Sequence, residues 1–265
     1  MELTSWCNYS CVMCFRSYKV QKTREYMPLE MVQKIADEAK KMGVCLLWVG
    51  AGSECMLHPQ IADALKILFS INTIDCTFLS NGSLINEEVS KVFVEHQTGQ
   101  LSISLDAATP ETYKKIRRGG VLEKVEKNIQ RFLDLRGDNL LPLLRVSMVK
   151  LKENENERED FLKKWENRAD VIDFQTCVDF SDVYDIDNVV KWDPECSQPF
   201  KRVYIIEDGT IYPCCSGYCI HYPLGNIKDM SLEEVWNGEK IKKLRELLKR
   251  NEMPDFCRKC REIKF

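Results

Sequence analysis

Cys7-Asn8-Tyr9-Ser10-Cys11-Val12-Met13-Cys14 sets three thiols at the spacing C-x3-C-x2-C, and no further cysteine follows until Cys45. Three sulfurs on one tight loop suit three corners of a cubane [4Fe–4S] cluster and leave the fourth iron to a ligand that is not protein. A structural cluster or zinc site closes its coordination sphere; a reactive one keeps a position open. A zinc knuckle or an incidental group of cysteines is the competing reading of the triplet alone. The residues just ahead, Glu2–Ser5, read as a short strand, which puts the loop at a strand's carboxyl end.

Working outward, short apolar runs alternate with amphipathic stretches as far as residue 177. Strands are expected at Glu2–Ser5, Val44–Val49, Thr73–Leu79, Leu101–Leu105, Leu143–Val149 and Val171–Thr176. Helices are expected at Leu29–Met42, Ile61–Phe69, Glu87–Glu95, Leu122–Leu135 and Arg158–Glu166. Pro28 and Asn86 stand where helices start, Thr109-Pro110-Glu111 is a further start signal, and Gly43 stands where a helix stops. Strands alternating with helices imply a parallel sheet with right-handed crossovers. Six units are too few to close an eight-stranded barrel, so the fold class is α/β, a partial (βα)6 TIM-like barrel with ligands at the carboxyl ends of its strands.

The pattern changes near residue 178. An acidic, aromatic linker over 179–195 contains Asp179, Asp182, Asp185 and Asp187. Beyond it, Val203–Ile206, a turn at Asp208-Gly209 and Thr210–Tyr212 read as a hairpin. A helix is expected from Ser231 to Lys249, opened by a Ser231–Glu234 capping box. The domains are thus 1–178, a linker, and a small hairpin-plus-helix unit at 196–265.

Composition narrows the partners. The 265 residues can bury a sizeable core, and 38 basic against 41 acidic side chains leave a net charge of −3. No basic stripe with interleaved aromatics suggests nucleic acid. No run approaches the ~18 apolar residues of a membrane helix, and no secretory signal is visible. Thirteen cysteines without such a signal read as metal ligands in a reducing cytoplasm.

The triplet, with bulky Met13 before its third cysteine, resembles the radical S-adenosylmethionine (radical SAM) superfamily. That resemblance implies that the open iron binds the amino and carboxylate groups of S-adenosylmethionine. Gly50-Ala51-Gly52-Ser53-Glu54-Cys55 is similar to the family's Gly-Gly-Glu-Pro segment, although Ser53 and Cys55 depart from it. Gly52, Ser53 and Glu54 are therefore expected at the cofactor's ammonium group; a plain βα turn is the alternative. Ser80-Asn81-Gly82 resembles the family's Thr/Ser-Asn-Gly turn. By the same resemblance Ser104 and Asp106 lie near the methionyl or ribose groups, unless they cap a strand end. Arg117 or Arg118 can pair with the methionyl carboxylate, the sequence leaving open which points inward.

Cys196, Cys214, Cys257 and Cys260 resemble the SPASM/twitch extension in its shorter twitch form, which implies one auxiliary [4Fe–4S] cluster ligated by all four. A zinc ribbon would use the same thiols. Of the remaining cysteines, Cys45 and Cys76 read as small buried hydrophobes within strands. Cys177, Cys215 and Cys219 are candidate hydrogen-atom donors or else inert.

These resemblances imply two [4Fe–4S] clusters, S-adenosylmethionine, and an electron donor such as flavodoxin or ferredoxin. The expected reaction oxidises a small molecule, for example a sugar or cyclitol alcohol, because twitch-bearing relatives include aminocyclitol dehydrogenases. An acid of the linker or His221 would accept the proton. The alternatives are epimerisation with a cysteine donor, modification of a ribosomal peptide, and a metal-binding scaffold without activity. A cluster motif starting at residue 7 leaves no room for an amino-terminal peptide-binding domain, which favours a small molecule or an independently recognised protein.

Overall fold

The computed structural model describes residues 1–18, 23–71, 75–177 and 196–261; the linker expected at 179–195 lies outside the described residues. Strands β1 (Leu46–Val49), β2 (Asp75–Ser80), β3 (Gln100–Ser104), β4 (Leu143–Lys150) and β5 (Val171–Thr176) form a parallel sheet in the order of the chain. Each step to the next strand is made through helix: α2 (Ile61–Phe69), α3 (Glu87–His96), α4 (Pro110–Ile116) with α5 (Leu122–Arg136), and α6 (Arg158–Trp165), while α1 (Leu29–Lys41) precedes β1. This is the partial barrel that the alternating pattern predicts.

Period-two alternation decides the two faces of the sheet. Val49, Phe78, Leu101, Ile103, Leu144, Val146 and Met148 are buried on the helix side. Phe78 meets Phe69 of α2 at 5.4 Å and Phe93 of α3 at 5.2 Å between ring centroids. The opposite, inner face is polar, because the register aligns Ser102 with Arg145, and Ser104 with Ser147 and Asp173.

Among the described residues the sheet has five strands, not the expected six. Residues Glu2–Ser5 are extended but distribute their backbone hydrogen bonds among several neighbours. Glu2 N donates to Ile205 O at 2.8 Å, Ser5 N to Glu25 O at 3.0 Å, and Leu3 O accepts from Met27 N at 2.9 Å. An isolated bridge between Thr4 and Tyr26 is all that resembles a ladder. Cys45 also departs from expectation: it is exposed and precedes β1, whereas Cys76 is buried in β2.

The carboxyl-terminal region begins with α7 (Gln198–Lys201) and an antiparallel sheet of β6 (Tyr204–Ile205), β7 (Thr210–Tyr212) and β8 (Gly225–Asn226). Gly209, at φ +91°, supplies the left-handed turn residue between β6 and β7. The expected helix Ser231–Lys249 is two, α8 (Leu232–Trp236) and α9 (Glu239–Lys249), followed by α10 (Asp255–Arg261). Gly238 breaks it, with φ −70° and ψ 163° at the cap of α9. Ser231 does form the predicted capping box with Glu234. Ile205, Ile211, Ile227, Val235 and Ile241 join the core of the barrel region. No helix among the described residues is long and apolar enough to cross a membrane.

Candidate cluster and cofactor site

The three-cysteine loop is pressed against the segment that follows α4. Ser10 N donates to Arg118 O at 2.9 Å and Val12 N to Ile116 O at 3.0 Å. A Cβ on Gly119 would stand 3.2 Å from Asn8 O, and one on Gly120 would stand 2.7 Å from the Tyr9 ring. The glycine pair is thus what lets the loop approach, a role the sequence reading did not assign. Cys11 is buried while Cys7 and Cys14 are half-buried. Burial pushes the Cys7 thiol up to about 11, with the Glu54 carboxylate and the two companion thiols adding to it. Burial also raises Cys11, against the opposing pull of Arg117. Loading a cluster here must expel these protons.

Glu54 lies at the end of the β1 loop and is only 1 % exposed. Its carboxylate accepts from Met56 N at 3.1 Å, Ser80 Oγ at 2.8 Å and Asn81 N at 2.7 Å. Burial raises its pKa, and those three donors oppose the rise. Asn81 in turn donates from Nδ2 to Asn8 Oδ1 at 2.8 Å and stands 3.8 Å from Cys7 Sγ. Glu54, Ser80, Asn81 and Cys7 are therefore brought together.

Gly52 and Ser53 are held by a residue that the sequence reading passed over. Glu2, 3 % exposed, accepts from Gly52 N at 2.8 Å, from Tyr204 Oη at 2.7 Å and from Ser53 Oγ. Arg16 donates to Gly52 O at 2.6 Å and to Ser5 O. The available signal was an acid set between apolar Met1 and Leu3, where a surface residue has no reason to stand.

Ser104 ends β3 on the inner face, half-buried. Asp106, fully buried and in the left-handed region at φ +64°, accepts from Arg117 Nε at 2.7 Å and Nη2 at 2.5 Å, and from Val149 N at 2.7 Å. Asn154 fastens this strained turn through Asp106 O and Val149 O, both at 2.8 Å. Arg117 is the inward arginine and Arg118 is exposed. Burial works against the Arg117 charge, but Asp106 and the Cys11 sulfur beside it hold its pKa above the ordinary value. The guanidinium is thus committed to a carboxylate of the protein and to a cluster-loop sulfur.

In the carboxyl-terminal region, Cys257 and Cys260 lie one turn apart on α10, which packs on the 3-10 turn Gly217–His221. Tyr222 stacks on Phe256 at 5.1 Å. Burial raises Cys260, which bonds Ser216 and feels the charges of Cys214, Cys196 and Cys215. Cys219 is buried and donates to Cys214 O at 3.0 Å. A separate hydrogen bond between the two thiol groups draws Cys214 down to about 7 and, with burial, drives Cys219 up. Cys215 and His221 are exposed; Cys177, half-buried, follows β5. Among the described residues no three His, Cys, Asp or Glu side chains converge as a single metal ion requires. A four-iron cube binds each thiolate at a separate iron, so its ligands stand further apart, and the thiol-rich donor sets suit it.

Residues 1–164 match the Radical SAM superfamily, and residues 196–261 match a family described as an iron-sulfur cluster-binding domain, SPASM. A probable GTP 3',8-cyclase of Methanocaldococcus jannaschii is 26% identical over 163 residues, which is 62% of this chain and 53% of that protein. The GTP 3',8-cyclase of Desulforamulus reducens is 24% identical over 166 residues, covering 62% and 50%. The chain spans about half the length of these curated relatives. Its fold is shared with a solved structure of anSMEcpe with bound AdoMet, at TM-score 0.70 and 17% identity, covering 91% of this chain and 77% of that one. SuiB of Streptococcus suis bound to S-adenosylmethionine gives 0.67 at 16%, covering 90% and 64%. BtrN in complex with AdoMet and 2-DOIA gives 0.66 at 13%, covering 100% and 91%. The cofactors are accordingly a [4Fe–4S] cluster, S-adenosylmethionine and an auxiliary iron–sulfur cluster. With its family match running through the cysteine loop and the strands behind it, the chain belongs to the radical SAM superfamily and carries a SPASM-type domain.

Proposed function

We propose that this chain is a radical SAM oxidoreductase that dehydrogenates a hydroxyl-bearing small molecule such as a sugar or cyclitol. When bound, its cofactors supply a 5′-deoxyadenosyl radical at the first cluster and an electron acceptor at the second. A hydrogen atom from the substrate's alcohol carbon would go to that radical, its hydroxyl proton to a base such as His221, and one electron to the second cluster, leaving a carbonyl. A flavodoxin or ferredoxin supplies the electron that starts each turnover.

The residues divide the work. Cys7, Cys11 and Cys14 hold three irons, while the backbone at Gly52 and Ser53 and the side chain of Ser104 face the cofactor. Glu54 already accepts three protein hydrogen bonds. It fixes the cofactor loop to Ser80 and Asn81, and its fourth acceptor position suits the cofactor's ammonium group. Arg117 neutralises Asp106. Arg118, exposed beside it, is the arginine with freedom to approach a carboxylate. Cys196, Cys214, Cys257 and Cys260 would close the coordination of one auxiliary cluster in the manner of a twitch extension, which suits electron uptake more than substrate ligation. The observation that carries the oxidative reading is that Cys260 lies near enough to Cys196 and Cys214 to feel their charges, in a chain that also holds an open-cornered triplet. The polar inner face at Ser102, Arg145, Ser147 and Asp173 supports a hydroxylated substrate.

A second reading, cyclisation of GTP, is favoured by the names of the curated relatives. Anaerobically reconstituted, reduced protein tested against GTP and a panel of cyclitol alcohols separates the two. Ketone formed in step with 5′-deoxyadenosine supports dehydrogenation; a GTP-dependent cyclic product overturns it. Turnover in deuterated water adds a further check. Deuterium at an inverted carbon, dependent on Cys177, Cys215 or Cys219, would establish an epimerase instead.

A further inference from the structure

We infer that Glu2 and Tyr204 form a tether by which the carboxyl-terminal hairpin positions the Gly52–Ser53 loop, so that affinity for S-adenosylmethionine depends on the auxiliary-cluster domain. The inference rests on the assignment of that loop to the cofactor.

The tether is continuous. Tyr204 opens β6, the hairpin strand that leads through β7 to Cys214. Its hydroxyl donates to Glu2 Oε1 at 2.7 Å, and the same oxygen accepts from Gly52 N at 2.8 Å. The other Glu2 oxygen accepts from Ser53 Oγ. Glu2 N donates to Ile205 O at 2.8 Å, so backbone and side chain of one residue both grip the hairpin. From Ser53 the chain passes to Glu54, whose carboxylate holds Ser80 and Asn81; Asn81 reaches Asn8 at 2.8 Å. Hydrogen bonds on either side of the Ser53–Glu54 peptide therefore join the β6 strand to the three-cysteine loop through the cofactor segment.

Two features suit this run for positioning. A Cβ on residue 52 would stand 2.8 Å from the Tyr204 hydroxyl, so glycine there is what admits the tyrosine. Arg16 also grips Gly52 O, so the Gly52 residue is held at both its N–H and its carbonyl. Removing the tyrosine hydroxyl leaves a buried carboxylate with one donor fewer and frees the loop to shift its peptide planes. Tyr204 and Glu2 would act through the Gly52–Ser53 loop they bond; they are positioning residues.

The test uses the full, reconstituted chain and equilibrium binding of S-adenosylmethionine, with iron content measured in parallel. Tyr204→Phe should keep wild-type iron yet bind the cofactor about tenfold more weakly. KM for the cofactor should rise more than kcat falls, and the cofactor-induced change in the spectrum of the reduced cluster should need correspondingly more cofactor. A Cys257→Ala/Cys260→Ala protein should show a similar loss, and adding Tyr204→Phe to it should cost little more. Glu2→Gln retains an oxygen for Gly52 and Tyr204 and should bind closer to wild type than Glu2→Ala. The Glu2 pair carries the test if Tyr204→Phe is not recovered folded. Wild-type affinity in Tyr204→Phe, or losses that simply add in the combined variant, overturn the tether while leaving the cofactor site intact. A wild-type protein that binds no S-adenosylmethionine overturns the assignment of the loop, and the tether with it.

Discussion

Arg117 and Asp106 show at the level of single side chains how charge is managed behind the cysteine loop. An arginine buried against a carboxylate is costly to halve, because removing one partner strands the other charge away from water. Arg117→Met should destabilise the protein by about 3–5 kcal/mol, read by denaturant unfolding, and Arg117→Met/Asp106→Asn should recover most of that loss. Asparagine suits the second site because it tolerates the left-handed backbone that Asp106 adopts at φ +64°. The sequence did not decide between Arg117 and Arg118. Its signal was present: Thr112, Tyr113 and Ile116 are the buried positions of α4, and Arg117 continues their face. Glu2 was harder to foresee, because its partners Gly52, Ser53 and Tyr204 are far from it in the chain.

Local signals served best at the level of helices and turns. Asn86 caps α3 through Val89 N at 2.9 Å, as read from the sequence, and Asn86→Ala should cost about 1 kcal/mol in thermal or denaturant unfolding. Glu157 is an unforeseen cap. It accepts from Ala108 N at 2.7 Å and Thr109 N at 3.2 Å at the start of α4. Burial would raise its pKa, but the hydroxyls of Thr109 and Thr112 with those amides outweigh it and lower the value. A depressed folded pKa gives stability that is present above the unfolded carboxylate value of ~4.3 and lost as pH falls through the folded one. Glu157→Gln should therefore be less stable than wild type at neutral pH, with the gap closing in acid when unfolding is followed against pH. The break between α8 and α9 was legible as Asn237-Gly238, a turn pair inside an otherwise helical text. The Ser231 capping box concealed it by announcing one long helix.

Across the whole molecule, the number of strands and the distribution of sulfur are the testable properties. The cysteine spacings carried the assignment of two metal centres, since a ligand set is written in the chain whatever its fold. Strand count was less legible: Glu2–Ser5 has strand character, and only its division among neighbours excludes it from the sheet. Anaerobic reconstitution should give about eight irons per chain, and Cys7→Ala/Cys11→Ala/Cys14→Ala should keep about half while forming no 5′-deoxyadenosine. Iron analysis and product chromatography check both. The bond between Glu2 and Tyr204 spans 202 positions of sequence. During synthesis Glu2 must wait, its acid side chain still hydrated, until Tyr204 has followed it out of the ribosome. Completion of the cofactor loop therefore follows formation of the hairpin, so the surroundings of the first cluster wait on a segment made long after them.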